Sequence, residues 1–414
     1  MIPRFSPTVT LLETLAFQAD LLSGKDDHPD AVLAFERAFC DYLGANSDGV
    51  FVSSGRMALW LILQALDYPP GSEIIVPAFT FFAIPAVIQL AGLTPVYVDI
   101  SPDTYELSAD TVQAAITART RAVIPTHLFG RTCEMTPLTD ICRSAGIDII
   151  EDCAQSMGAT IDGTKAGTLG AASYFTFGIT KNFTTFGGGM AICRDAAVYE
   201  RMQAAASQFE RLPKGKLLKN AITGTAMRLA TTRPVFSCTL APILRVARRD
   251  RDDIVQRTFE EPVGAIDMAC LERVKRTPTA AQARAGCRQL AVVNGKNTQR
   301  RQLGRALIER LAALECDGLP TLPLEGGDHI FVSFAILRTD RLSFAHALRR
   351  QGVDSATGYM SDCSSMPALG GKPGQCPTAA AVASTIIHLP LYPGLKDRDL
   401  DRIANAVHAV DVGD

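Results

Sequence analysis

Between Gly49 and Ile150, short apolar runs rich in β-branched residues alternate with stretches of helical spacing, and few folds accept that pattern. GVFVSSGRMALWLILQAL, residues 49–66, reads as a strand, a tight turn and a helix. Further strands are expected at Glu73–Pro77, Pro95–Ile100, Ala122–Thr126 and Ile147–Ile150. Helices are expected at Phe81–Ala91 despite Pro85, at 108–117 and at Pro137–Ala145. Strands that are apolar on both sides are buried on both faces. The expected class is therefore α/β: a mostly parallel sheet sandwiched by helices. Ligands of such sheets sit beyond the carboxyl ends of the strands. That rule lines up Ser54, Ala78 to Phe82, His127 and Asp152 along one edge.

The 414 residues exceed one ordinary domain. Residues 1–30 read as an amino-terminal arm with a short helix, ending in the turn-rich SGKDDHPD. A helical pattern from Ala31 to Leu43, closed by Gly44, opens a large domain over 31–205. Within 206–260 lies a basic, apolar-interleaved stretch. From Arg211 to Arg251 it holds Arg211, Lys214, Lys216, Lys219, Arg228, Arg233, Arg245, Arg248, Arg249 and Arg251 against the single acid Asp250. It reads as a helical insertion with a solvated basic rim; the alternative is a surface for an anionic substrate, a partner subunit or a membrane face. Residues 261–414 read as a smaller α+β domain: helices over 262–315 with a long one at Leu303–Leu314, a strand at Ile330–Leu337, and helices at Ser343–Gln351 and Leu400–Val410.

At 47% hydrophobic and 20% charged the chain can bury a large core, and its net charge of -2 argues against nucleic-acid binding by the whole chain. Eleven cysteines without CxxC spacing point to neither a metal site nor a disulfide framework, and so to a reducing, cytoplasmic setting. MIPRFSPTVT lacks the basic start and apolar core of a signal peptide, and no window is apolar for long enough to span a bilayer.

The chemistry concentrates in EDCAQSMGATIDGTKAGTLGAASYFTFGITKNFTTFGGGM, residues 151–190. It places Glu151 and Asp152 at the end of a buried strand, and a lone Lys181 between Phe177, Ile179 and Phe183 before Gly187, Gly188 and Gly189. A desolvated lysine that holds an aldehyde as a Schiff base, with a carboxylate that keeps a pyridine nitrogen protonated, is what pyridoxal phosphate chemistry requires. The turn Ser53-Ser54-Gly55 leaves backbone N–H groups at a helix start, which suits a phosphate as well as an ordinary N-cap. His127 reads as a buried, hydrogen-bonded structural residue.

IPRFSP, SGRMAL, IIVPAFTFFAIPAVI, AGLTPVYVDI, IPTHLFG, EDCAQSMGAT, GTLGAASYFTFGITKNFTTFGGG and IIHLPLYPGLKDRDLDRI follow one another along the chain. In that order the sequence resembles the DegT/DnrJ/StrS family of pyridoxal phosphate-dependent sugar aminotransferases, of fold type I (aspartate aminotransferase-like). The resemblance implies that Lys181 is the Schiff-base and proton-shuttling lysine, and that Asp152 pairs with the pyridinium nitrogen. It further implies that Phe81 stacks on the cofactor ring and that Gln155 lies at its 3-hydroxyl side. The phosphate would be held by the backbone of Gly55 and Arg56 with the hydroxyl of Thr176. The Phe81 ring also reads as plain core, and Gln155 as a cap for the turn that follows it.

Five departures stand out. Arg56 and Thr176 occupy places where the family usually has threonine and serine. Phe186-Gly187-Gly188-Gly189 replaces Gly-Glu-Gly-Gly. The asparagine–tyrosine–arginine segment and the histidine-bearing carboxyl-terminal loop are absent, with VGAIDMACLERV and YMSDCSSMP in their places. Some relatives carry histidine for the lysine and catalyse dehydration; Lys181 speaks against that branch. The expected protein is a homodimeric transaminase that moves an amino group, with glutamate as donor, to the keto group of a nucleotide-linked deoxysugar. One rival substrate is a ketocyclitol or another secondary-metabolite ketone. A rival of another class is a non-catalytic binding or sensory protein on the same fold.

Overall fold

A seven-stranded sheet organises the computed structural model, which describes residues 1–23, 29–44, 46–242, 267–323 and 326–413. Its strands are β1 (Asp48–Val52), β2 (Glu73–Pro77), β3 (Thr94–Val98), β4 (Thr120–Val123), β5 (Asp148–Asp152), β6 (Ala172–Thr176) and β7 (Gly189–Cys193). They lie in the order β1-β7-β6-β5-β4-β2-β3, and only β7 runs antiparallel to its neighbours. The central position belongs to β5. It extends to Asp152, beyond the apolar run, because Glu151 and Asp152 pair with Ser173 and Tyr174 of β6.

Helices cover both faces: α1 (Leu11–Leu22), α2 (Pro29–Leu43), α3 (Gly55–Leu66), α4 (Ala83–Leu90), α5 (Ala109–Ala115), α6 (Met135–Ala145) and α7 (Ala196–Ala206). Successive residues of a strand face opposite sides. Accordingly Ile74 and Val76 join a core with Met57, Ile62 and Val87, whereas Ile75 joins Val98, Val112, Leu138 and Ile149. Pro85 is the third residue of α4, where its missing N–H would have had no intrahelical acceptor.

The chain continues through α8 (Lys214–Ala230), α9 (Arg233–Cys238), α10 (Met268–Val274), α11 (Ala280–Ala313), α12 (Arg341–Arg350), α13 (Pro377–Thr385) and α14 (Asp397–Asp411). A second sheet, β8 (Phe334–Leu337), β9 (Ala356–Thr357) and β10 (Ile386–Leu389), is antiparallel in the order β8-β10-β9 and packs on α12, α14 and the end of α11. The 34 residues of α11 span about 50 Å. Ala283 and Val293 sit among Phe35, Phe39, Phe51, Phe175, Phe177 and Phe183, while Leu307 and Leu311 belong to the second core.

The basic segment is tied into the body of the protein. Leu217, Ala221 and Met227 of α8 are buried, Arg228 donates to the Ser6 hydroxyl at 2.7 Å, and Arg233 pairs with Asp399. Ile243, Leu244, Arg245, Arg248, Arg249, Asp250 and Arg251 lie outside the described residues. Among the described residues no helix is long and apolar enough to cross a membrane.

Candidate active site

At the carboxyl edge of the sheet, β5, β6 and the turn after β1 end side by side. Ser54 caps α3 by accepting the Met57 N–H at 3.2 Å, so the helix begins at Gly55 with its first N–H groups free of intrahelical bonds. Thr176 closes β6 directly against it. A Cβ on Gly55 would come within 2.8 Å of the Thr176 Cβ and 3.2 Å of its hydroxyl, so only glycine allows this approach. Half-buried Arg56 follows as the second helical residue.

Asp152 is 2% exposed. One carboxylate oxygen accepts the Ala154 N–H at 2.9 Å, and the other has a 3.4 Å contact from the Thr126 hydroxyl. Burial pushes its carboxyl up, while the Ala154 N–H, the Tyr174 hydroxyl and the Lys181 charge pull it back. The neighbouring acid serves a different purpose. Glu151 faces the opposite side of the sheet, fully buried, and accepts from His127 Nε2 at 3.0 Å and from the N–H groups of Gly167, Leu169 and Gly170 at 2.7–2.8 Å. Burial alone would raise this carboxyl, but those donors hold it below the usual range.

The His127 tautomer follows from its partners. Nδ1 accepts the Cys133 N–H at 3.0 Å, so the ring proton is on Nε2 and is given to Glu151. His127, Glu151 and Cys153 approach within 4.8 Å as a metal-like trio. Both histidine nitrogens and both Glu151 oxygens are already engaged, and burial raises the Cys153 thiol far from ionisation. This is a structural brace behind the site.

Lys181 lies on the loop between β6 and β7, half-buried, with Phe177 and Phe183 sunk into the phenylalanine cluster on either side. Its Nζ stands 5.8 Å from the centroid of the Tyr359 ring, and the Tyr359 hydroxyl lies 3.4 Å from that of Thr180. Tyr359 opens the segment that replaces the histidine-bearing loop. That segment reaches the sheet edge because Ser361 and Asp362 pair with Thr80 and Phe79, and the Cys363 N–H donates to Ala78. Half-buried Phe81 follows at once, its ring 4.7 Å from that of Phe82. Gln155 accepts the Phe129 N–H at 3.0 Å, which ties the residues after β5 to those after β4.

The structure thus gathers Gly55, Arg56 and Thr176 at one corner, with Asp152 and Lys181 within electrostatic reach of each other. Tyr359, Tyr174 and Thr8, whose hydroxyl donates to the Lys181 carbonyl at 3.1 Å, went unnoticed in the sequence. Only the fold brings them here, since each is far in sequence from the residue it meets. The donor set fits pyridoxal phosphate. A helix start with a hydroxyl beside it suits the phosphate, and a buried carboxylate at the end of the central strand suits a pyridinium N–H.

Known proteins resemble the chain along most of its length. The model of the DegT/DnrJ/EryC1/StrS aminotransferase family matches residues 13–260 and 277–408. GDP-perosamine synthase of Caulobacter vibrioides is 30% identical over 385 residues, 92% of this chain and 90% of that protein. UDP-N-acetyl-3-dehydro-alpha-D-glucosamine 3-aminotransferase of Acidithiobacillus ferrooxidans is 28% identical, covering 88% and 85%. Among solved structures, DesV from S. venezuelae superposes with a TM-score of 0.73 at 26% identity, covering 96% of this chain and 94% of that one.

Proposed function

The chain belongs to the DegT/DnrJ/EryC1/StrS aminotransferase family, and from that premise we propose that it is a pyridoxal phosphate-dependent transaminase acting on the keto group of a nucleotide-linked sugar, with glutamate as donor. The two curated relatives named above, whose names denote nucleotide-sugar enzymes, support the substrate class. The observation that carries the reading is the convergence of Lys181, Asp152 and the Gly55–Thr176 corner on one sheet edge.

When bound, pyridoxal phosphate supplies an aldehyde carbon that an amine can attack and a ring that accepts electrons. Lys181 would provide the amine, and its Nζ would hold and move the proton during the reaction. Asp152 would accept the ring N–H and hold that proton in place, because a buried carboxylate gains more from a cation than an exposed one does. The first N–H groups of α3 and the Thr176 hydroxyl anchor the phosphate. Phe81 and Gln155 orient the ring. A homodimer completes the site, and the eleven free thiols suit the reducing cytoplasm.

Absorbance of the purified protein with added pyridoxal phosphate tests this. A visible band that glutamate discharges, and that Lys181→Ala lacks, is expected. A band that survives in Lys181→Ala would overturn the assignment of the lysine.

A further inference from the structure

Arg300 of α11 is 4% exposed, and no acidic side chain accompanies it among the described residues. Burial pulls its guanidinium down to about 10, so it remains charged at neutral pH. Among the described residues only its Nη2 has a partner, the Thr8 hydroxyl at 3.0 Å; Nε and Nη1 are buried with none there. A guanidinium held in this way costs the fold stability, so packing does not explain its presence.

What the arginine touches does. The Thr8 hydroxyl donates in turn to the backbone carbonyl of Lys181 at 3.1 Å. Arginine only donates, so the direction is fixed: Arg300 to Thr8 to Lys181. A charged donor polarises the hydroxyl and strengthens its onward bond. The same helix face holds the surroundings. Lys296 donates to the Thr8 carbonyl at 3.1 Å, and Asn297 donates to Met157 at 2.9 Å. Asn182, next to the lysine, donates to that same Met157 carbonyl at 2.9 Å and to Asn297 at 3.3 Å.

We propose that Arg300 is a positioning residue for the transamination, fixing the Lys181 backbone through Thr8 so that the amine meets the cofactor and substrate carbons in line. The inference rests on reading Lys181 as the reacting lysine. It sets a destabilising buried charge against a gain in geometry, and that exchange gives it a signature.

Arg300→Met, Thr8→Val and Thr8→Ser are to be compared with the parent protein for three readouts: melting temperature without cofactor, the rate at which the visible band forms on adding pyridoxal phosphate, and kcat and KM for glutamate. Arg300→Met is expected to melt at the parent temperature or above, while kcat and the band-forming rate fall about tenfold or more, the scale of a misplaced reacting group. KM should stay within about twofold, as for a contact that matters only at the reacting geometry. Thr8→Val should reproduce the loss and Thr8→Ser restore the parent rates. Should Arg300→Met not fold, the two Thr8 variants decide alone. A lower melting temperature with parental kcat in the folded protein, or parental rates in Thr8→Val, would overturn the relay. Lys181→Ala separates the two readings: a band retained there removes the premise, whereas a band lost there with unaffected relay variants removes only this inference.

Discussion

At the scale of single residues, Phe186 is the clearest conflict between local preference and tertiary gain. It stands where the family resemblance implies glycine, and it adopts φ 60, a left-handed conformation that costs a non-glycine residue about 1–2 kcal/mol. The fold holds it there by stacking its ring on Phe17, with centroids 4.1 Å apart and an interplanar angle of 12°. Asn220 donates to its carbonyl and Gln282 to that of Gly187, both at 2.8 Å. Phe186→Gly relieves the backbone but removes a fully buried ring worth about 3–5 kcal/mol. A net destabilisation of roughly 1–4 kcal/mol is expected in urea unfolding. An unchanged or raised midpoint would show that the stack contributes little.

At the scale of elements, Glu36 couples α2 to the edge strand β1. Its carboxylate accepts the Phe51 N–H at 2.7 Å, occupying a donor that an edge strand would otherwise leave open. Burial pushes this carboxyl up to about 7 from 4.5, against the pull of that N–H. The folded protein therefore holds the proton more tightly than the unfolded chain does between those values, and the stability contributed is lost as pH rises through that window. Glu36→Gln keeps an acceptor for Phe51 without the charge. It should melt above the parent at about pH 8, with the difference vanishing near pH 4.5. A difference independent of pH would reject the assignment.

At the scale of the whole molecule, α11 is the beam between two cores. Gly286 and Gly304 let it pass Phe35 and Phe331, whose ring atoms a Cβ would approach to 2.3 and 2.4 Å. The amino-terminal strand of chain joins the same parts: Ile2 bridges to Val353, Arg4 pairs with Asp354, and Thr8 meets Lys181. Leu11, Leu12, Leu15 and Leu22 of α1 remain 41–78% exposed, a larger apolar display than an isolated helix surface needs. With the homodimer proposed above, light scattering should give about twice the 44.4 kDa chain mass. The mass of one chain would remove that part of the proposal.

The alternation of apolar runs and helical spacing determined the sheet by itself, because strands buried on both faces leave no polar stripe and periodicity is a local property. The family followed from fragments in order along the chain, as did the acid at the end of β5 and the lysine between aromatics. The long helix was only partly legible. Its glycines weaken the helical pattern, and their reason lies in Phe35 and Phe331, remote in sequence. The family resemblance singled out Asp152 from its neighbour Glu151, but what Glu151 does instead, bracing His127 and the 167–170 turn on the opposite face, shows only in the built sheet. Tyr359 over Lys181, and the link from Arg300 through Thr8, join residues far apart along the chain. No local propensity encodes such contacts; packing of the two cores around α11 decides them.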